Sequence, residues 1–326
     1  MQLNDEPTMK RRICFRCLGI TLLFCWLGSV ASAQKPEPKA QVRPVTIAIS
    51  IFTKKELKEN QAEEYVQADR LVVKEDNEEQ QILSIRSVSD SPLSVAFLIQ
   101  DDLSSSFNLQ LKEIEEFIRK LPKGTRVMVA YSRSGSLQIR QKFTDDLYKA
   151  SKSLRIVSSS PGLAPRSPYD SIVDLLGKFE AMPAGRRAIV MFSDGLDTTQ
   201  GLSLASITQS ADLDRAALKA QRKGVAVYSI YAPTAATESS SGSSLAFAAQ
   251  GALAKLSEET GGRAFFTGTQ APISLLPFFR DMIVALNRQF ALTYLSTHMK
   301  KGYHSVTVRS SNPEVKIEHP RGYYYR

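Results

Sequence analysis

The sequence is poor in the residues that most stapled or catalytic proteins depend on. It contains three cysteines, Cys14, Cys17 and Cys25, and none beyond them. Disulfide staples and thiol chemistry are therefore excluded for the rest of the chain. Histidine is equally scarce, and His298, His304 and His319 all lie near the C-terminal end. No G-x-S-x-G elbow, no G-x-x-x-x-G-K-[ST] loop and no G-x-G-x-x-G after a strand occurs. Elbow-type hydrolysis and nucleotide binding thus lack their local signatures. The formal charge of +9 is spread thinly, with a mild concentration after Lys300. A nucleic-acid-binding stripe would be denser and interleaved with aromatics, so no nucleic-acid partner is expected.

What is present begins with a leader. Residues 1–33 read as a secretory signal: Lys10-Arg11-Arg12 and Arg16 make a basic start, residues 18–30 an apolar core, and Ala31-Ser32-Ala33 a small-x-small cleavage site. Either Met1 or Met9 serves as its start. The apolar core is shorter than the ~20 residues a membrane span needs, so no stable insertion of the mature chain is expected. The expected location is periplasmic or extracellular. All three cysteines leave with this segment, and the charge falls to about +7. Residues 34–43, containing Pro and Lys, read as a linker.

Residues 44–90 read as an N-terminal β region. Val45 to Phe52 alternates with period two, and Leu71-Val72-Val73 and Ile82 to Ile85 flank Glu75-Asp76-Asn77-Glu78. Asp-Asn tolerates the left-handed conformation, which predicts a hairpin. A charged loop or short helical turn is expected over residues 54–64.

Residues 91–289 alternate strand and helix. Apolar strands are predicted at Val95 to Ile99, Arg126 to Tyr131, Ala188 to Phe192, Val225 to Tyr231 and Ala264 to Phe266, with a further strand over Leu137 to Phe143. Helical spacing follows Phe107 to Leu121, Asp146 towards Ile156, Tyr169 to Phe179, Leu213 to Lys223, Leu245 to Thr260 and Pro277 to Asn287. The segments 158–168 and 234–244 are rich in loop residues. This order predicts an α/β fold with a doubly wound, mostly parallel sheet. Ligands of such sheets sit beyond the carboxyl ends of the strands. There the first strand runs into Asp102-Leu103-Ser104-Ser105-Ser106, and a later one into Ser193-Asp194-Gly195. Residues two apart in extended chain point the same way, so Asp102, Ser104 and Ser106 can converge. Carboxylate and hydroxyl oxygens suit Mg²⁺, Mn²⁺ or Ca²⁺ and not copper or zinc.

The D-x-S-x-S run after an apolar strand resembles the metal-ion-dependent adhesion motif of the von Willebrand factor type A (VWA) domain, and the chain is similar to the secreted acidobacterial-type VWFA-related domain family. The acidic hairpin at Glu75-Asp76-Asn77, the junction at Leu286 to Tyr294 and the Gly322-Tyr323-Tyr324-Tyr325 ending carry the second resemblance. The resemblance implies a VWA/Rossmann-like fold and a divalent cation, Mg²⁺ first, held by Asp102, Ser104, Ser106, Asp194 and Ser167. Ser167 enters because the family's threonine position, three residues before Tyr169-Asp170, holds Arg166. If Ser167 supplies the hydroxyl the site survives; if Arg166 points inward, its fixed charge repels the ion.

Residues 290–326 return to period-two strands at Phe290 to Leu295, Tyr303 to Val308 and Val315 to Ile317. They are expected to pack with 44–90 as a small accessory β-sandwich, since unpartnered strands would leave open edges. Function then reads as an exported protein-binding module, not an enzyme: the cation engages an acidic group of an unidentified protein partner. The alternatives are a structural envelope protein with a degenerate metal site, and a metal-assisted hydrolase.

Overall fold

The structure, a computed structural model, describes residues 41–53, 71–88, 91–159, 166–238 and 243–325. The leader, most of the linker, the charged loop over 54–64 and the middle of the 158–168 loop lie outside the described residues.

Six strands build the central sheet in the order β6-β5-β4-β7-β8-β9. They are β4 (Ser94–Gln100), β5 (Arg126–Arg133), β6 (Ser136–Thr144), β7 (Arg187–Ser193), β8 (Ala226–Tyr231) and β9 (Ala264–Phe265). All neighbours are parallel except the edge strand β6, which returns antiparallel from β5. All seven residues of β4 are buried because both of its faces are covered. Val95, Phe97 and Ile99 pack with α1 (Leu111–Lys120) and α8 (Leu276–Asn287). Ala96 and Leu98 face the other way, into a cluster with α3 (Pro168–Lys178), α5 (Ala211–Lys223) and α7 (Ser243–Thr260). The unbroken apolar run thus reflects alternate side chains serving two cores, each large buried one stabilising by about 1.5–3 kcal/mol. The short helices α2 (Leu147–Lys152), α4 (Leu204–Thr208) and α6 (Ala235–Glu238) complete the connections.

Local signals explain the helix ends. Asp146 caps α2 by accepting from Lys149 N at 2.9 Å, and Ser210 caps α5. Gly224 ends α5 at φ +60, a left-handed stop. The helix expected from Phe107 begins later, because residues 105–110 wind as a 3₁₀ turn. There the Asn108 side chain accepts from Val157 N at 2.9 Å.

The remaining strands form one antiparallel sheet of seven, in the order β12-β1-β10-β3-β2-β11-β13. It comprises β1 (Arg43–Thr53), β2 (Leu71–Glu75), β3 (Glu78–Ser87), β10 (Gln289–Ser296), β11 (Gly302–Ser310), β12 (Val315–Glu318) and β13 (Gly322–Tyr325). Asp76 and Asn77 turn the β2–β3 hairpin at φ +47 and +69. The strands hydrogen-bond in one series that curls, so that β11 and β12 touch although they lie far apart in the strand order, and Val308 N donates to His319 Nε2 at 3.2 Å; the accessory sandwich expected from the sequence is not confirmed. A bulge between Thr293 and Tyr294 in the β10–β3 pair accompanies the curl. Val45, Ile47, Val73, Leu292 and Val306 share one buried cluster on this sheet. This sheet meets the amino-terminal ends of the parallel strands: Thr46 to Ser50 of β1 and Gln289 of β10 line one cavity with Arg187, which opens β7, and Ala226, which opens β8. Among the described residues no helix is long and apolar enough to cross a membrane.

Candidate functional site

The strand order reverses between β4 and β7, so their carboxyl ends splay the following loops and open a crevice. The register Ile99↔Phe192 brings the exits of both strands side by side. Gln100, the last residue of β4, ties them together. Its Oε1 accepts from Ser193 Oγ at 2.5 Å and from Asp194 N at 3.3 Å, while its Nε2 donates to Asp102 Oδ1 at 3.0 Å. Ser104 and Ser106 hydroxyls lie 2.9 Å apart, as the D-x-S-x-S spacing predicts. Gly195, at φ +73, permits the tight exit from β7; a Cβ there would stand 2.7 Å from Ala249 O.

The two aspartates meet, but on a guanidinium. Arg166 Nη1 pairs with Asp102 Oδ2, and its Nη2 lies 3.3 Å from Asp194 Oδ2. The arginine is held inward by its own backbone: Arg166 N donates to Thr198 Oγ1 at 2.8 Å, and Thr198 N returns a bond to Arg166 O at 2.8 Å. Asp194 is fully buried and also accepts from Leu196 N at 3.0 Å and Thr234 Oγ1 at 2.8 Å. Burial pushes its carboxyl pKa up, and so does the neighbouring Asp102; the Arg166 charge and the hydrogen bonds from Leu196 and Thr234 pull the other way. Burial raises the Tyr169 phenol well above its usual range, and the Asp194 and Asp197 charges add to it. That phenol donates to Gly195 O at 2.8 Å.

Ser167 is placed elsewhere. It precedes α3 as its N-cap, and its hydroxyl donates to Asp197 Oδ2 at 3.3 Å. Asp197 is itself saturated by Ser210 and by Thr199, whose hydroxyl lies at 2.6 Å. Of the five residues expected to hold a cation, the fold therefore gathers Asp102, Ser104, Ser106 and Asp194 at one strand-end crevice, and turns Ser167 to a neighbouring carboxylate.

The oxygens of those four residues suit a divalent ion; the arginine among them does not. At ~4 Å, a guanidinium and a divalent cation repel by about 8 kcal/mol even at an effective dielectric of ~20. The residues present therefore do not fit a divalent ion while Arg166 remains in place.

Residues that sequence reasoning left aside do much of the positioning. Thr234 was read as part of a loop-rich segment, yet it follows β8 at the same strand-end level and bonds Asp194. Asp101 is buried: Arg155 Nη1 reaches its Oδ1 at 2.5 Å, and the Asp101 carbonyl accepts from Ser158 N at 2.9 Å. The signal for both was available, since each sits just past an apolar strand.

The sheet order, the antiparallel edge strand and the alternating helices together define an α/β fold with a doubly wound, mostly parallel sheet. No family model matches the chain, and no curated protein does. Among solved structures, similarity is found to an aerotolerance-related membrane protein from Bacteroides fragilis NCTC 9343 carrying multiple mutations to serines (14% identity, TM-score 0.41, 60% of this chain and 98% of that one). The SpRpn10 VWA domain gives 13% identity, a TM-score of 0.39 and coverage of 58% and 93%. Manganese-loaded Plasmodium vivax TRAP protein gives 10%, 0.37, and coverage of 73% and 97%. At these values the likenesses transfer no property to this chain.

Proposed function

We propose that this chain is an exported protein-interaction module of the adhesion type, whose strand-end face docks a protein partner and whose own Arg166 stands where a cation would. The observation carrying this reading is the apolar rim of that face. Ile273, Leu109 and Ile156 are exposed at 102, 85 and 69%. Hydrogen bonds join their loops: Gln110 Nε2 donates to Pro272 O, and Val157 N to Asn108 Oδ1. Large apolar side chains gathered in the open, next to polar groups, mark interaction surfaces rather than stable solvent faces. The export half of the proposal rests on the leader sequence.

The cation-dependent version, in which Mg²⁺, Mn²⁺ or Ca²⁺ completes its shell with an acidic side chain of the partner, requires Arg166 to leave both carboxylates. Among the described residues no histidine lies near the crevice: His298, His304 and His319 belong to the curled sheet and its connections.

Two measurements test the reading. Thermal unfolding of the wild-type chain with each of the three ions is expected to show no shift that depends on Asp102. Arg166→Thr, which restores a hydroxyl and removes the charge, is expected to gain such a shift and to lose it again with Asp102→Ala. A wild-type shift abolished by Asp102→Ala would restore the cation-dependent reading. For docking, Leu109→Asp with Ile273→Asp is expected to abolish crosslinking to envelope-fraction proteins, with stability changing by only about 0.5 kcal/mol per site. Undiminished crosslinking in the double variant would remove the strand-end face from the proposal.

A further inference from the structure

A second group of chemistry-bearing side chains lies on the curled sheet, apart from the strand-end crevice. At the β2–β3 turn, Glu75, Asp76 and His298 each offer one ligand atom, and these atoms lie within 4.8 Å of one another. Glu75 is fully buried, as a carboxylate rarely is without strong compensation. Its Oε2 has no hydrogen-bond partner. Neither has His298 Nδ1, which stands 3.8 Å from Glu75 Oε1. Two buried polar atoms without partners, one on the carboxylate and one facing it, are a costly arrangement, since each such group loses about 1–3 kcal/mol of hydration.

From this convergence we propose that Glu75, Asp76 and His298 form a binding site for a first-row divalent metal such as Zn²⁺. One imidazole nitrogen with two carboxylate oxygens is a donor set such ions accept, with a position left open. Each of the three is also held from behind, the arrangement that orients metal ligands. Glu75 Oε1 accepts from Tyr323 at 2.6 Å and Ser296 at 2.9 Å. Asp76 Oδ1 accepts from Ser305 N at 2.8 Å, and its Oδ2 meets His304 Nδ1 at 2.8 Å. The other ring nitrogen of His304 faces Lys300 O at 2.6 Å, which fixes that ring. His298 Nε2 lies 3.5 Å from Glu78 Oε2, so its Nδ1 is the nitrogen turned inward. Arg43 approaches Glu75 Oε1 to 3.7 Å and its charge weakens the site. Its charge opposes an ion as that of Arg166 does in the crevice, but it pairs with one carboxylate of the cluster only; its Nε donates to His298 O at 3.0 Å and its guanidinium lies 3.8 Å from the centre of the Tyr325 ring. This contrasts with Arg166, which lies across both carboxylates of the crevice.

The test is calorimetric titration of the full chain with Zn²⁺, its thiols alkylated beforehand, alongside thermal unfolding at matched metal concentrations. One equivalent is expected to bind and to raise the unfolding temperature. His298→Ala and Asp76→Asn are each expected to weaken Kd more than tenfold, while Asp102→Ala leaves it unchanged. Asn tolerates the left-handed turn at position 76, and His298 lies outside the core, so both variants should fold. Absence of Zn²⁺ binding, or binding that survives both substitutions, overturns the assignment. Because Asp102 belongs to the crevice and His298 to the curled sheet, failure here is distinguishable from failure of the docking proposal.

Discussion

Arg166→Ala is expected to destabilise the protein by about 3–5 kcal/mol, the usual result of leaving a buried charge without its partner. Arg166 is nearly buried, and Asp194 fully so, so solvent cannot screen the loss. The pH dependence has a definite sign. The folded-state pKa of Asp194 is already raised by burial, and Arg166 is its main counterweight. A raised carboxyl contributes stability in acid that is lost as pH climbs through the folded value. Removing Arg166 raises that value further, so the deficit of the variant should be small near pH 4 and grow towards neutrality. Urea unfolding at both pH values measures it. A deficit that is constant with pH would show that Arg166 acts through packing alone.

Gly262→Ala should be at least as damaging, with a loss of about 3 kcal/mol or more, or failure to fold. A methyl at this position would sit 2.1 Å from Val227 O and 2.6 Å from Val227 C, both backbone atoms of β8. No rotamer change relieves such a contact; β8 or the end of α7 must move. Gly262 N also bonds Ser257 O at 2.8 Å, which anchors the glycine to that helix. Gly251→Ala is the control, because a methyl there meets nothing within 4 Å and α7 should gain a better helix former. If both variants unfold at the same denaturant concentration, the close approach of α7 to β8 is not what the glycine serves.

Much of the architecture was legible in advance because it depends on local periodicity. The buried strands are apolar throughout, the helices repeat at three and four residues, and Asp102 and Asp194 each follow such a strand. The orientation of Arg166 was not legible. It is settled by a two-way backbone clamp to Thr198, 32 residues away, and residue spacing alone leaves either Arg166 or Ser167 free to face the crevice. The strand order of the curled sheet was not legible for a related reason: alternation shows which face of a strand is buried, not which strand lies beside it. The grouping of Glu75 and Asp76 with His298 depends on the same long-range pairing, since only the hairpin half of it is contiguous.

The placement of β1 has a further consequence for biosynthesis. Its two neighbours are β10 and β12, both encoded after residue 288. During synthesis the first strands to emerge must therefore wait, edges open, until the whole α/β segment has been made. The order of assembly is dictated: the middle folds first, and the earliest residues are enclosed last. A nascent chain stalled before β10 should accordingly show a protected α/β core and protease-sensitive strands at its front.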